Sequence, residues 1–141
     1  MATDDRSPTE AGTIFKFTSD GERIVFGSVP GTTPGNEPQP NWGLAFDNAG
    51  NLYAADGGAQ TIYKFAPNGT RTVFVGPSEF AEGEYPVGLA FDTSGYLFVA
   101  EAGVPEIPGG DILKFSPDGA SRMVFASGFG RPEFLTFGPP R

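Results

Sequence analysis

At 141 residues the chain is of single-domain size, and with no Cys and no His it excludes disulfides, thiolate nucleophiles, Ser-His-Asp triads and the usual zinc sites. Its net charge of −8 comes without any basic face interleaved with aromatics, so nucleic acid is not an expected partner, and no apolar run reaches membrane-spanning length. Gly (21) and Pro (14) make the chain rich in turns while 14 Phe supply bulk for a core, so an all-β protein is expected.

Residues 1–11 are polar and aperiodic, and a disordered N-terminal segment is expected there. Met1 to Arg6 is acidic and polar rather than charged-then-apolar; the chain either stays in the cytoplasm or begins after an export signal or inside a longer chain. Residues 13–17 and 22–26 read as two strands joined by Thr18-Ser19-Asp20-Gly21, where Asp-Gly supplies the positive φ of a tight hairpin. The stretch 27–40 carries Pro30, Pro34, Pro38 and Pro40, which exclude regular pairing.

A complete four-strand unit follows over 41–76. Strand a is Gly43–Phe46, strand b Leu52–Ala55, strand c 61–65 and strand d 71–75, with Asn68-Gly69 turning c into d. The unit recurs over 86–127, with strands at 87–91, 96–100, 111–115 and 122–126. Residues 12–27 match strands c and d, and 132–138 open one more strand a at 133–137. Phe46, Phe91 and Phe137 stand 45 and 46 residues apart, a period that signals a repeat architecture.

The strands are apolar at nearly consecutive positions, as in Ile62, Tyr63 and Phe65 or Leu97, Phe98 and Val99. Such strands need cover on both faces. Four-stranded antiparallel sheets covered on both faces fit β-propeller blades, here a partial propeller or half of a six-bladed ring; a sandwich is the alternative.

The alternation of Pro86-Val87-Gly88-Leu89-Ala90-Phe91-Asp92, running on to Leu97 and Glu101, with Ile62-Tyr63-Lys64-Phe65 and Asn68-Gly69 resembles the NHL-repeat β-propellers. It is similar also to the SMP-30/gluconolactonase-like propellers, and the likeness covers about residues 12–137. The resemblance implies a propeller fold and a secreted or periplasmic setting. It implies a non-catalytic module binding a protein, glycan or cation, or alternatively part of a divalent-metal-dependent lactonase. In the latter group Glu, Asn and Asp hold a metal in the channel, the Asn at the head of strand a. That position holds Trp42, Val87 and Glu133 here, and Asn41 lies one residue early, so the chain offers no complete ligand set.

Strand order puts the d–a loops (27–41, 76–86, 127–131) and the b–c loops (56–60, 101–110) at one end. Glu37, Asp56, Glu79, Glu82, Glu84, Glu101, Glu106 and Asp111 all fall there, and binding residues tend to sit on such loops. Asp56 and Glu101 share one repeat position. They are candidate Ca²⁺ ligands or acids that accept backbone N–H bonds to hold the b–c loop. Trp42 is a candidate stacking platform or a residue packed beneath the Pro-rich loop. Asn41 is a further ligand-binding candidate, and Glu133 lines the channel mouth or pairs with Arg131. Asp47 and Asp92 read as turn formers. Lys16, Lys64 and Lys114 read as blade-to-blade ion pairs or a solvated edge.

The strand inventory begins with c–d and finishes with a lone a. A homodimer closing a six-bladed ring is therefore expected, with Ile14, Phe15, Phe17 and Phe137 in its interface; the rival is a longer chain with further blades.

Overall fold

The computed structural model describes residues 2–4, 12–29, 41–103 and 110–139. The protein is all-β, and the eleven strands among the described residues form three antiparallel sheets. The first sheet holds β1 (Ala2–Asp4), β2 (Thr13–Phe17) and β3 (Arg23–Ser28) in that order. The second runs β4 (Asn41–Phe46), β5 (Leu52–Asp56), β6 (Thr61–Phe65), β7 (Arg71–Val75). The third runs β8 (Glu84–Phe91), β9 (Leu97–Gly103), β10 (Gly110–Phe115), β11 (Arg122–Phe129). Each is a meander of propeller-blade type, and the array does not close on itself.

The turns follow from their residues. In the β4–β5 turn the Asp47 carboxylate accepts the Ala49 and Asn51 N–H groups at 2.9 Å, while Gly50 takes φ +82°, which a side chain would strain. Asp92 accepts from Ser94 and Tyr96 at the matching place in the third sheet. Both acids form turns, as their Asp-x-x-Gly context implies.

Burial explains why the strands lack alternation. All five residues of β5 are buried, its two faces serving two different neighbours. Leu52 and Ala54 join Tyr63 and Phe65 against Ile14 and Val29 of the preceding blade. Tyr53 and Ala55 join Ile62, Val75 and Phe80 against Leu89, Leu97, Val99, Leu113 and Phe115 of the following one. Aromatic rings repeat across these seams. Tyr53 meets Phe74 of its own blade at 5.0 Å and Phe91 of the next blade at 4.7 Å, both edge-on, a geometry worth about 0.5–1.5 kcal/mol per pair beyond the area buried.

Four features depart from the sequence expectations. Residues 2–4 are not disordered but pair with β2, Ala2 opposite Phe15 and Asp4 opposite Thr13. Their order comes from backbone pairing, which a polar tripeptide does not advertise; residues 5–11 lie outside the described residues. Strands β8 and β9 run longer than expected because their ladder continues past a bulge between Pro86 and Gly88, where a proline is tolerated, and β11 runs longer because its pairing with β10 continues to Phe129 opposite Gly110.

Residues 131–139, which include the expected strand at 133–137, carry no strand ladder. They nevertheless occupy the place of a following strand a. Leu135 packs with Val87, Phe98, Ala100 and Ile112, and Phe137 meets Phe98 edge-on at 5.0 Å, as Phe91 meets Tyr53. Finally, Ile14, expected at an interface between copies, is fully buried against the second blade. The loops 30–40 and 104–109, with Glu37 and Glu106, lie outside the described residues.

Close approach between inner strands is set by glycine. A Cβ on Gly43 would run into the Val87 carbonyl oxygen and lie 3.0 Å from the Leu89 nitrogen, both backbone atoms that have little room to yield. Gly43→Ala is expected to destabilise the fold by about 1–3 kcal/mol. Gly76→Ala, with nothing within 4 Å and an ordinary φ of −98°, is expected to be nearly neutral. Urea denaturation of the two variants checks the contrast.

Candidate functional site

The long connections leave the sheets at the end where β5 and β9 finish, and two buried acids stand there. Asp56 is the last residue of β5, fully buried, on the rung it shares with Asn41 of β4 and Thr61 of β6. Its Oδ1 accepts the Ala59 N–H at 3.0 Å, and the Thr61 hydroxyl donates to the Ala59 carbonyl at 2.9 Å. Asp56 thus holds the turn that follows β5.

Glu101 occupies the same repeat position and behaves differently. It is fully buried, and neither carboxylate oxygen has a hydrogen-bond partner among the described residues. Burial pushes its pKa up to about 7; the nearby Glu84 adds to the rise, Arg122 opposes it, and Asp111 adds a little more. The contrast with Asp56 comes from strand length. β5 stops at Asp56, so the chain turns back and offers an N–H to the carboxylate. β9 continues through Ala102 and Gly103, which pair with Tyr85 and Glu84, so the backbone after Glu101 stays in the ladder. An unpartnered buried carboxylate is costly, and it favours a proton, a cation or a donor brought by a ligand.

Two residues at this end escaped the sequence reading. Asp4 of β1 faces Thr13 as Asp56 faces Thr61, which places a third acid at the same register position of a third sheet. No periodic pattern around residue 4 marks it. Gln60 adopts a positive φ of 47° and its side-chain amide donates to the carbonyls of Ala81 (3.1 Å) and Glu84 (2.7 Å), tying the β5–β6 loop to the entry of β8. A glutamine in a loop gives no advance sign of this.

The remaining candidates are dispersed. Asn41 and Trp42 lie on β4 at the loop end, Asn41 opposite Asp56; their side chains lie outside the described residues. Val87, the counterpart of Trp42, is an apolar core residue. Glu133 makes an ion pair with Arg131 (Nε–Oε1 3.1 Å), half-exposed and worth little in energy. Its backbone carbonyl sits against Gly88, where a Cβ would come within 2.6 Å of it. No group of three or more acids able to hold a metal comes together among the described residues. The channel metal implied by the lactonase resemblance therefore does not fit the donors described: Val87 has none, and the Glu133 carboxylate faces Arg131.

Of the three lysines expected in blade-to-blade ion pairs or at a solvated edge, Lys16 is exposed, while Lys64 and Lys114 sit against aromatic rings. Lys64 lies over the Tyr53 ring at 5.6 Å, and Lys114 over Tyr96 at 4.3 Å and Phe98 at 5.3 Å, so their charge is held by aromatic faces. At the opposite, short-turn end a shallow hollow of about 200 Å³ is bordered by Asp47, Tyr53, Lys64 and Phe91. Its polar groups are engaged in the turn and on the ring, since Asp47 also accepts from the Asn51 amide and the Tyr53 hydroxyl.

No protein-family model matches the chain, and no curated protein matches it.

Proposed function

We propose that the chain is a non-catalytic binding module of propeller-blade type whose loop end takes a cationic group. The observation that carries this reading is the Glu101 carboxylate, buried at the loop end with neither oxygen partnered among the described residues. Glu84 raises its pKa further, with Arg122 opposing and Asp111 adding to the rise, so a cation beside Glu101 would meet Glu84 and Asp111 as well. The repeat-level resemblance to NHL-type propellers and the scaffold-plus-loops layout support a binding role over a chemical one.

A cation here is either a free Ca²⁺ or an ammonium carried by a ligand, and both compete with the proton on Glu101. Thermal melts with millimolar calcium chloride and, separately, with n-butylammonium chloride distinguish the two. The effective cation raises the melting temperature, by the stabilisation that selective binding to the folded state brings. The rise grows from pH 6 to pH 8 as Glu101 loses its proton, and Glu101→Gln abolishes it. Asp56→Ala lowers the melting temperature with and without cation but leaves the increment intact, because Asp56 holds a turn. If neither probe shifts the native protein at pH 8, the cation reading is wrong.

A further inference from the structure

The blade seams carry a second inference, independent of the loop-end acids. Within the chain the same seam is built twice. Phe26 of β3 meets Phe65 of β6 at a ring separation of 6.0 Å, and Phe74 of β7 meets Phe115 of β10 at 6.5 Å. In each case the Phe of an outer strand covers the last Phe of the next blade's third strand. Phe65 and Phe115 are accordingly 1% and 0% exposed. The turn after that strand leans on the same neighbour: a Cβ on Gly69 would lie 3.4 Å from the Phe26 carbonyl, and one on Gly119 3.1 Å from the Phe74 carbonyl. Arg71 of the later blade donates to the Ser28 carbonyl of the earlier one at 2.8 Å.

At the two outer faces of the array each half of this seam stands alone. Phe17, the counterpart of Phe65 and Phe115, is 48% exposed, and nothing lies within 4 Å of a Cβ on Gly21. Phe125, the counterpart of Phe26 and Phe74, is 57% exposed although it meets Phe98 at 4.9 Å as Phe74 meets Tyr53. The two strand edges are complementary too. β1 holds the second-strand place of its blade with no first strand beside it among the described residues. Residues 131–139 hold a first-strand place with no ladder. In the second blade Leu44 pairs with Ala54; by the repeat register, Leu135 is the counterpart of Leu44 and Ala2 that of Ala54.

We propose that these faces are filled by a second copy of this chain: the β8–β11 blade and residues 131–139 of each copy dock on the β1–β3 blade of the other. Phe125 then covers the partner copy's Phe17, and Leu135 comes opposite its Ala2. The occupant is chosen by complementarity, because the chain's own first face is the counterpart of the faces already covering β3 and β7. The number of copies follows from blade count. The described residues of one 141-residue copy form three sheets, so two such copies supply six, within the about 4–8 blades at which propellers close. A head-to-tail contact used twice between two copies is a closed ring with no face left over.

Light scattering on the 141-residue chain at micromolar concentration is the first test. The expected mass is twice the 14.8 kDa of one copy. Phe125→Glu is expected to weaken association about 100-fold, the scale of a central aromatic anchor, with unchanged far-ultraviolet dichroism. The chain has no Cys, so single cysteines report the geometry directly. Phe17→Cys chains mixed with Phe125→Cys chains are expected to oxidise to a cross-linked pair that neither forms alone. A folded monomer at high micromolar concentration, as for a chain needing further blades in cis, overturns the proposal. So does polydisperse aggregation, or a dimer in which Phe17→Cys cross-links to itself.

Discussion

Phe115→Ala is expected to cost about 3–5 kcal/mol of folding stability, the range for deleting a buried aromatic side chain that leaves a cavity. Phe115 ends β10 with no exposed surface, and its ring faces Phe74 of the preceding blade at 6.5 Å and Phe80 at 6.3 Å. Phe80 follows a short 3-10 turn over Pro77–Glu79, so the lost ring loosens both a blade seam and the connection between blades. Neither neighbour closes the gap easily, since Phe74 is also held edge-on by Tyr53. Urea denaturation reads the effect as a fall in midpoint at an unchanged slope. Phe17→Ala, at the same repeat position without a covering neighbour among the described residues, is expected to cost under about 1 kcal/mol in dilute monomer. Equal losses for the two would contradict the description of the seam.

Glu101→Gln is expected to stabilise the protein at pH 8 by as much as about 3 kcal/mol and to flatten its pH dependence. The folded-state pKa is raised from 4.5 to about 7 by burial first, then by Glu84, against the opposing pull of Arg122. Between those two values the folded chain holds a proton that the unfolded chain has released. Stability therefore falls as pH rises from 4.5 to 7 and is constant above, where both states are ionised. Glutamine keeps the shape without the charge, so the variant lacks this slope. Denaturation at pH 5 and pH 8 settles it: the native protein loses stability between them and the variant does not. A native protein with no such slope would mean that Glu101 is partnered in solution.

The parts of this fold that were legible in the sequence are those written locally. Asp20-Gly21, Asn68-Gly69 and Asp118-Gly119 mark hairpins through their own φ preferences, and the doubled apolar face of Leu52 to Ala55 marks a strand between two neighbours. What was not legible depends on distant partners. Ala2–Asp4 is a strand only because β2 offers an edge, and 133–137 has a strand's pattern but no second strand to pair with. Asp56 and Glu101 are equivalent by spacing, yet one is satisfied and the other is not. That difference rests on pairing between Glu84–Pro86 and Glu101–Gly103, across a connection whose register no local pattern specifies. Lys64 and Lys114 illustrate the same point: their spacing was visible, but the rings beneath them belong to other strands.

Gly43 rests on Val87 as Gly88 rests on Glu133, so a blade meets its successor in the same manner whichever blade it is. At this contact, position in the order is not encoded within a blade. A tandem duplication of one 45-residue period between the second and third sheets would find a ready neighbour on either side. Adding a whole period would keep each glycine seated on the next blade's backbone, whereas adding half a period would move Gly43 off the Val87 carbonyl. The close glycine seat thus tolerates a change in repeat number and not a change in phase.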